Sequence, residues 1–174
     1  MPIPNPALLG ATRVLLWLIL GLIVASAILV AGVEIALLVA WPEVTAAFRD
    51  SPELFDVATL RFPVSVLMLL LVAILGAGAY LIRQLQALVA SAASDPFIAA
   101  NAARLRRVGW ALVATQLLAI PLQWTARCIA KAGSDFGDMG GISLEGLLAI
   151  LLAFVLAAVF EQGTAMRDEL EGTV

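Results

Sequence analysis

From Val14 to Ala40 the chain runs for roughly 27 residues with Glu34 as its only ionisable side chain. At about 1.5 Å of rise per residue, such a run is long enough to cross a hydrocarbon core about 30 Å thick, with room for tilt. Backbone polar groups inside lipid must be satisfied within the segment itself, so an isolated run of this kind is a helix. Two further apolar runs follow, Phe62 to Ile82 and Ile142 to Phe160, with a more polar one from about Val108 to Thr125. The expected fold is therefore all-α: one 174-residue polytopic membrane domain with four transmembrane helices in an up-down bundle.

Composition agrees. With 63% hydrophobic and 13% charged residues, the chain lies far from a soluble domain, in which about a quarter of residues are charged. A net charge of −3 and a pI near 4.8 give no basic footprint for direct nucleic-acid binding. There is no His, and Cys128 is the single Cys. A His-ligated metal, a Cys-His nucleophilic pair and an intrachain disulfide are all excluded, and no cofactor motif is present.

Taken in order, Met1 to Thr12 contains Pro2, Pro4 and Pro6 and reads as an irregular lead-in. Ala25-Ser26-Ala27 is similar to a signal-peptidase site, but the apolar run continues for more than ten residues beyond it, so a retained first span is expected. Trp41-Pro42 should end that helix. The acidic connection then holds Ser51-Pro52-Glu53, a helix-start pattern for a short surface helix or a direct run into the second span. The second span carries Ala73, Gly76, Ala77 and Gly78 as small residues for close helix contact, and should continue as helix toward Ser91.

An inner hairpin over residues 83–107 follows. Asp95 reads as an N-cap and Pro96 as the first helical position of a cytoplasmic interfacial helix leading into the third span. Phe97 would anchor in the interface, and Asn101 would satisfy a backbone group at the loop. Gln116 and Gln123, seven apart on the third span, share a face that should look into the bundle, with Pro121 between them. On the fourth span Gly146, Ala149, Ala153 and Ala157 form a small-residue stripe suited to packing within one chain or between two, so a homo-oligomer is open. An acidic tail, residues 161–174, closes the sequence.

Orientation follows from Lys and Arg near the span ends. With both termini cytoplasmic, the inner side holds Arg13, Arg83, Arg104, Arg106, Arg107 and Arg167; the outer side holds Arg49, Arg61, Arg127 and Lys131. Trp17 and Trp110 then fall near inner ends and Trp41 and Trp124 near outer ends, where amphipathic rings prefer to lie.

Two motifs carry a resemblance. The first is Asp95-Pro96-Phe97-x-x-x-Asn101-x-x-Arg104-Leu105-Arg106-x-x-Gly109-Trp110. The second is Val159-Phe160-x-x-Gly163-x-x-Met166-Arg167-x-Glu169-Leu170-Glu171-Gly172-Thr173-Val174. Together they resemble the hallmarks of domain of unknown function 2975, a family of small four-span proteins of the bacterial inner membrane. The resemblance implies no activity. It implies a membrane partner role, because such proteins are often encoded beside a small helix-turn-helix regulator.

Three candidate sites stand out. Arg104, Arg106 and Arg107 either sit among anionic headgroups, at about 1 kcal/mol each, or pair with the acidic tail through Glu169 and Glu171 as a reversible latch that a partner opens. Glu34 lies inside an apolar span, about 9 Å from its outer end. It either reaches outward to the interface or forms a polar site with Gln123 or Arg127 that binds a ligand or relays a proton. Gln116 and Gln123 are expected as interhelical hydrogen-bond glue, worth about 0.6 kcal/mol on average. The function expected is non-enzymatic: a regulatory or sensing protein that meets a helix-turn-helix regulator or another membrane protein at its cytoplasmic face. The alternatives are an immunity protein against a membrane-active toxin and a small carrier or channel.

Overall fold

Helices account for nearly all of the described residues. The computed structural model describes residues 6–47, 57–92, 98–131 and 141–171. Within them lie α1 (Pro6–Ala47), α2 (Val57–Ala92), α3 (Ala99–Lys131) and α4 (Leu144–Glu171). The expected N-caps and starts at Asp95, Pro96 and Ser51-Pro52 lie outside the described residues, as does Phe97.

The first helix is longer than its apolar run. It begins at Pro6, where a missing N–H has no consequence because the first turn has no intrahelical acceptors. The lead-in is thus helical from Pro6, and Ala25-Ser26-Ala27 lies in its unbroken interior. Nor does Trp41-Pro42 stop it: α1 continues through Pro42 to Ala47. A proline ring removes one hydrogen bond, to the carbonyl four residues back, and the turns on either side close around the gap. Thr45 Oγ1 donates to the Pro42 carbonyl at 2.8 Å, reinforcing the last turn. Proline is likewise carried inside α2 at Pro63 and inside α3 at Pro121, where Thr125 Oγ1 donates to the Pro121 carbonyl at 2.7 Å.

Three segments are long and apolar enough to cross a membrane: Leu9–Ala47, Thr59–Ser91 and Leu144–Arg167. The third expected span is not among them. Asn101, Arg104, Arg106, Arg107, Gln116 and Gln123 all fall on α3 and lower its apolar content. Position explains why it can carry them. It packs against α2 on one flank and α4 on the other, and most of the buried side chains of the fold belong to it, among them Leu105, Val108, Leu122, Ala126 and Ile129. The arginine stretch belongs to the same helix. One helix runs unbroken from Ala99, through the arginines, to Lys131.

Packing is strictly sequential. Among the described residues α1 touches only α2, α2 touches α1 and α3, and α4 touches only α3. The expected up-down bundle thus takes the form of an open row of antiparallel helices with α1 and α4 as its two edges. Hydrocarbon is as apolar as Leu, so nothing forces the outer helices to meet; dispersion contact and polar bonds hold the row together. Between α2 and α3, Leu67 at 1% exposure is surrounded by Leu122, Ala126 and Ile129. Leu16 and Leu20 of α1 close on Ile82. The α4 stripe faces α3, with Ala153 and Ala157 buried, so its small residues serve packing within the chain. Gly109 supports the same contact: a Cβ there would stand 2.9 Å from Phe154 Cζ. Phe154 in turn meets Trp110 edge-on, with ring centroids 5.7 Å apart.

Candidate functional site

At one end of the row α2 finishes, α3 begins and the second half of α4 passes alongside. Asn101, 1% exposed, ties the start of α3 to the end of α2. Its backbone N–H donates to the Ile98 carbonyl at 2.9 Å. Its side-chain Oδ1 accepts from Arg104 Nη1 at 2.8 Å and lies 2.8 Å from the Ser91 hydroxyl on α2. Two donors converging on one oxygen fix which way the amide points. The same Arg104 nitrogen lies 3.3 Å from both Ser91 Oγ and the Ala87 carbonyl, so its charge is spent on the end of α2. That carbonyl belongs to the last turns of α2, where the helix dipole favours a cation.

The arginine cluster is therefore divided. Arg104 is a structural member of the α2–α3 seam, whereas Arg106 and Arg107 are exposed. Arg106 reaches α4 and pairs with Glu161 at 2.6 Å. Both side chains of that pair are more than half exposed. Glu161, at the start of the acidic stretch, is thus a tail residue that meets the cluster. Glu169 lies eight residues further along α4, about 12 Å at helical rise, and is exposed. Helix α4 ends at Glu171; Gly172 lies outside the described residues. Beside the Arg106–Glu161 pair opens a cleft of about 270 Å³. Ala99, Ala102 and Ala103 of α3 form one side, and Thr164 and Ala165 of α4 the other. Small alanine side chains leave the room, and Arg106, Glu161 and Thr164 place polar groups at its edge.

Residues 45–174 match the model of the family described as protein of unknown function DUF2975. The chain belongs to this family. The match takes in the whole hairpin and α4 and begins near the end of α1, so Glu34 lies outside it. No curated protein and no solved structure matches the chain.

Of the motif residues singled out in the sequence, Asn101 and Arg104 join the start of α3 to the end of α2, while Leu105 and Gly109 pack in the seams beside them. Phe160 and Gly163 lie on α4 level with the cleft, and the Phe160 carbonyl accepts a hydrogen bond from Thr164 Oγ1 at 2.8 Å. Arg167 is exposed on the following turn, and Leu170 lies in the final turn of α4.

The polar residues nearer the other end of the row do not assemble into one site. Gln116 bonds Ser143 at the start of α4, and Gln123 lies against Gly141. Glu34 sits elsewhere, in a groove between α1 and α2, and α1 does not contact α3. Sequence reasoning missed Ser91, Ser143 and Glu161 as partners. Each becomes visible only once the antiparallel register is known: Ser91 faces Asn101 across the turn, Glu161 faces Arg106, and Ser143 faces Gln116.

Proposed function

We propose that this protein spans the bacterial inner membrane four times and acts, without enzymatic chemistry, as a regulatory or sensing protein through a cytoplasmic protein partner. Parity supports the fourth span. Helices α2 and α4 both run antiparallel to α3 and so point the same way. If both cross, the chain must return between them, and α3 is the only segment placed to do so. The Lys and Arg distribution supports termini and hairpin on the cytoplasmic side.

The observation that carries the functional reading is the exposed Arg106–Glu161 pair at the rim of the alanine-lined cleft. An exposed pair of this kind contributes only about 0–1 kcal/mol. It is too weak to matter for the fold and weak enough for a partner to replace. Asn101, Ser91 and Arg104 tie the start of α3 to the end of α2 beneath it, so Arg106 and Arg107 are displayed from a hydrogen-bonded base. An acidic surface on a soluble regulator, such as the helix-turn-helix proteins often encoded beside DUF2975 members, would compete with Glu161 for Arg106. The test is in-cell photo-crosslinking from Ala100 and Ala103. A regulator captured from both positions in the parent, and lost in Arg106→Ala/Arg107→Ala, is the expected result. Capture unchanged by the double substitution rules out this dock.

A further inference from the structure

The groove between α1 and α2 is the largest cavity among those described, at about 520 Å³. Its walls are Ile35 and Leu38 from α1 and Phe62, Val66, Met68 and Leu69 from α2, nearly all hydrocarbon. Glu34 enters it, and Glu34 Oε2 is buried with no hydrogen-bond partner. Arg61, next to Phe62, is exposed and makes no ion pair with Glu34. A carboxylate oxygen left unpaired against an apolar wall at membrane depth is costly, and such residues persist where something meets them.

We infer that this groove binds a lipophilic cation, an organic ammonium or phosphonium whose apolar body fills the space and whose charge meets Glu34. Volume and lining are those of small-molecule sites, which take roughly 300–1,000 Å³, are mostly apolar and use few polar groups to set orientation. Charge complementarity picks the ligand class: the one ionisable group lining the groove is acidic. The Phe62 ring adds a π-face that favours a diffuse cation, and Ser65 offers a hydroxyl within the same groove. The cleft opens sideways on the two-helix edge of the row, so a ligand already partitioned into the bilayer reaches it without crossing water. This site is separate from the hairpin at Arg106 and does not depend on that reading.

The experiment is equilibrium binding of radiolabelled tetraphenylphosphonium to the full chain in lipid nanodiscs, with tetraphenylborate as a probe of the same shape and opposite charge. Saturable binding of the cation is expected, with the anion at least tenfold weaker. Glu34→Gln should weaken cation binding at least tenfold, and Val66→Trp should block it by filling the groove. Equal binding of both ions, or of the cation to parent and Glu34→Gln alike, overturns the assignment. So does the lack of any saturable site in the parent, which needs no variant to fold.

Discussion

Gln116, midway along α3, accepts a hydrogen bond from the backbone N–H of Ser143 at 3.0 Å and so helps to organise the start of α4. Ser143 is itself a helix cap: its Oγ accepts from the N–H of Gly146 at 3.0 Å and its carbonyl from that of Leu147 at 3.1 Å. The amide of Gln116 lies so close to Gly146 that a side chain there would force it to move. Gln116 thereby joins two helices and satisfies a donor that the first turn of α4 leaves open.

Replacing Gly146 with Val should therefore displace Gln116 and cost about 1–3 kcal/mol, as overpacking does. Gln116→Leu should cost less, about 0.6 kcal/mol, typical of one interhelical bond in lipid. Unfolding in micelles of rising SDS fraction measures both. The reverse order would mean that Gln116 matters more as a bond than as a neighbour.

Asn101→Leu leaves the Arg104 guanidinium and the Ser91 hydroxyl without their shared acceptor. An expected loss of about 1–3 kcal/mol follows from removing one charge-assisted and one neutral hydrogen bond at buried Asn101, although both donors keep carbonyls of α2 within reach. Arg106→Ala should change stability by no more than about 1 kcal/mol. Comparing the two by the same SDS titration separates the buried amide that joins α2 to α3 from the arginine that is displayed.

Gly109→Leu drives a side chain into Phe154 and should destabilise the α3–α4 seam by about 1–3 kcal/mol. Adding Phe154→Ala removes the obstacle and should return part of that loss. A double-mutant cycle reads the coupling. Additive effects would show that the two side chains do not oppose each other.

The proposed four crossings would place Ala100 and Ile142 on opposite sides of the membrane. In a Cys128→Ser background, Ala100→Cys should resist a membrane-impermeant maleimide added outside intact cells, and Ile142→Cys should react. Both reacting, or neither, contradicts the four-span topology.

The helices with long apolar runs were legible because lipid demands length and apolarity, and α1, α2 and α4 supply both. Their ends were not. Pro6 and Pro42 read as breakers, yet one missing N–H at a first turn or near a last one does not stop a helix flanked by strong apolar formers. Asn101 and Arg104 are three apart, so their shared face could be read directly. Ser91 and Glu161 could not, because their roles depend on the register between helices. The open row was also hidden. An apolar side chain facing lipid and one facing another helix look alike in sequence, so Trp17 at 66% exposure and buried Leu16 belong to the same run.

In the proposed latch, Arg106 exchanges Glu161 for a partner. The yield of a regulator photo-crosslinked from Ala103, compared across the parent, Glu161→Ala and Arg106→Ala/Arg107→Ala, measures this directly. Release of Arg106 predicts the highest yield in Glu161→Ala and the lowest in the double arginine variant. A yield that falls in Glu161→Ala, or stays level across all three, would contradict the latch.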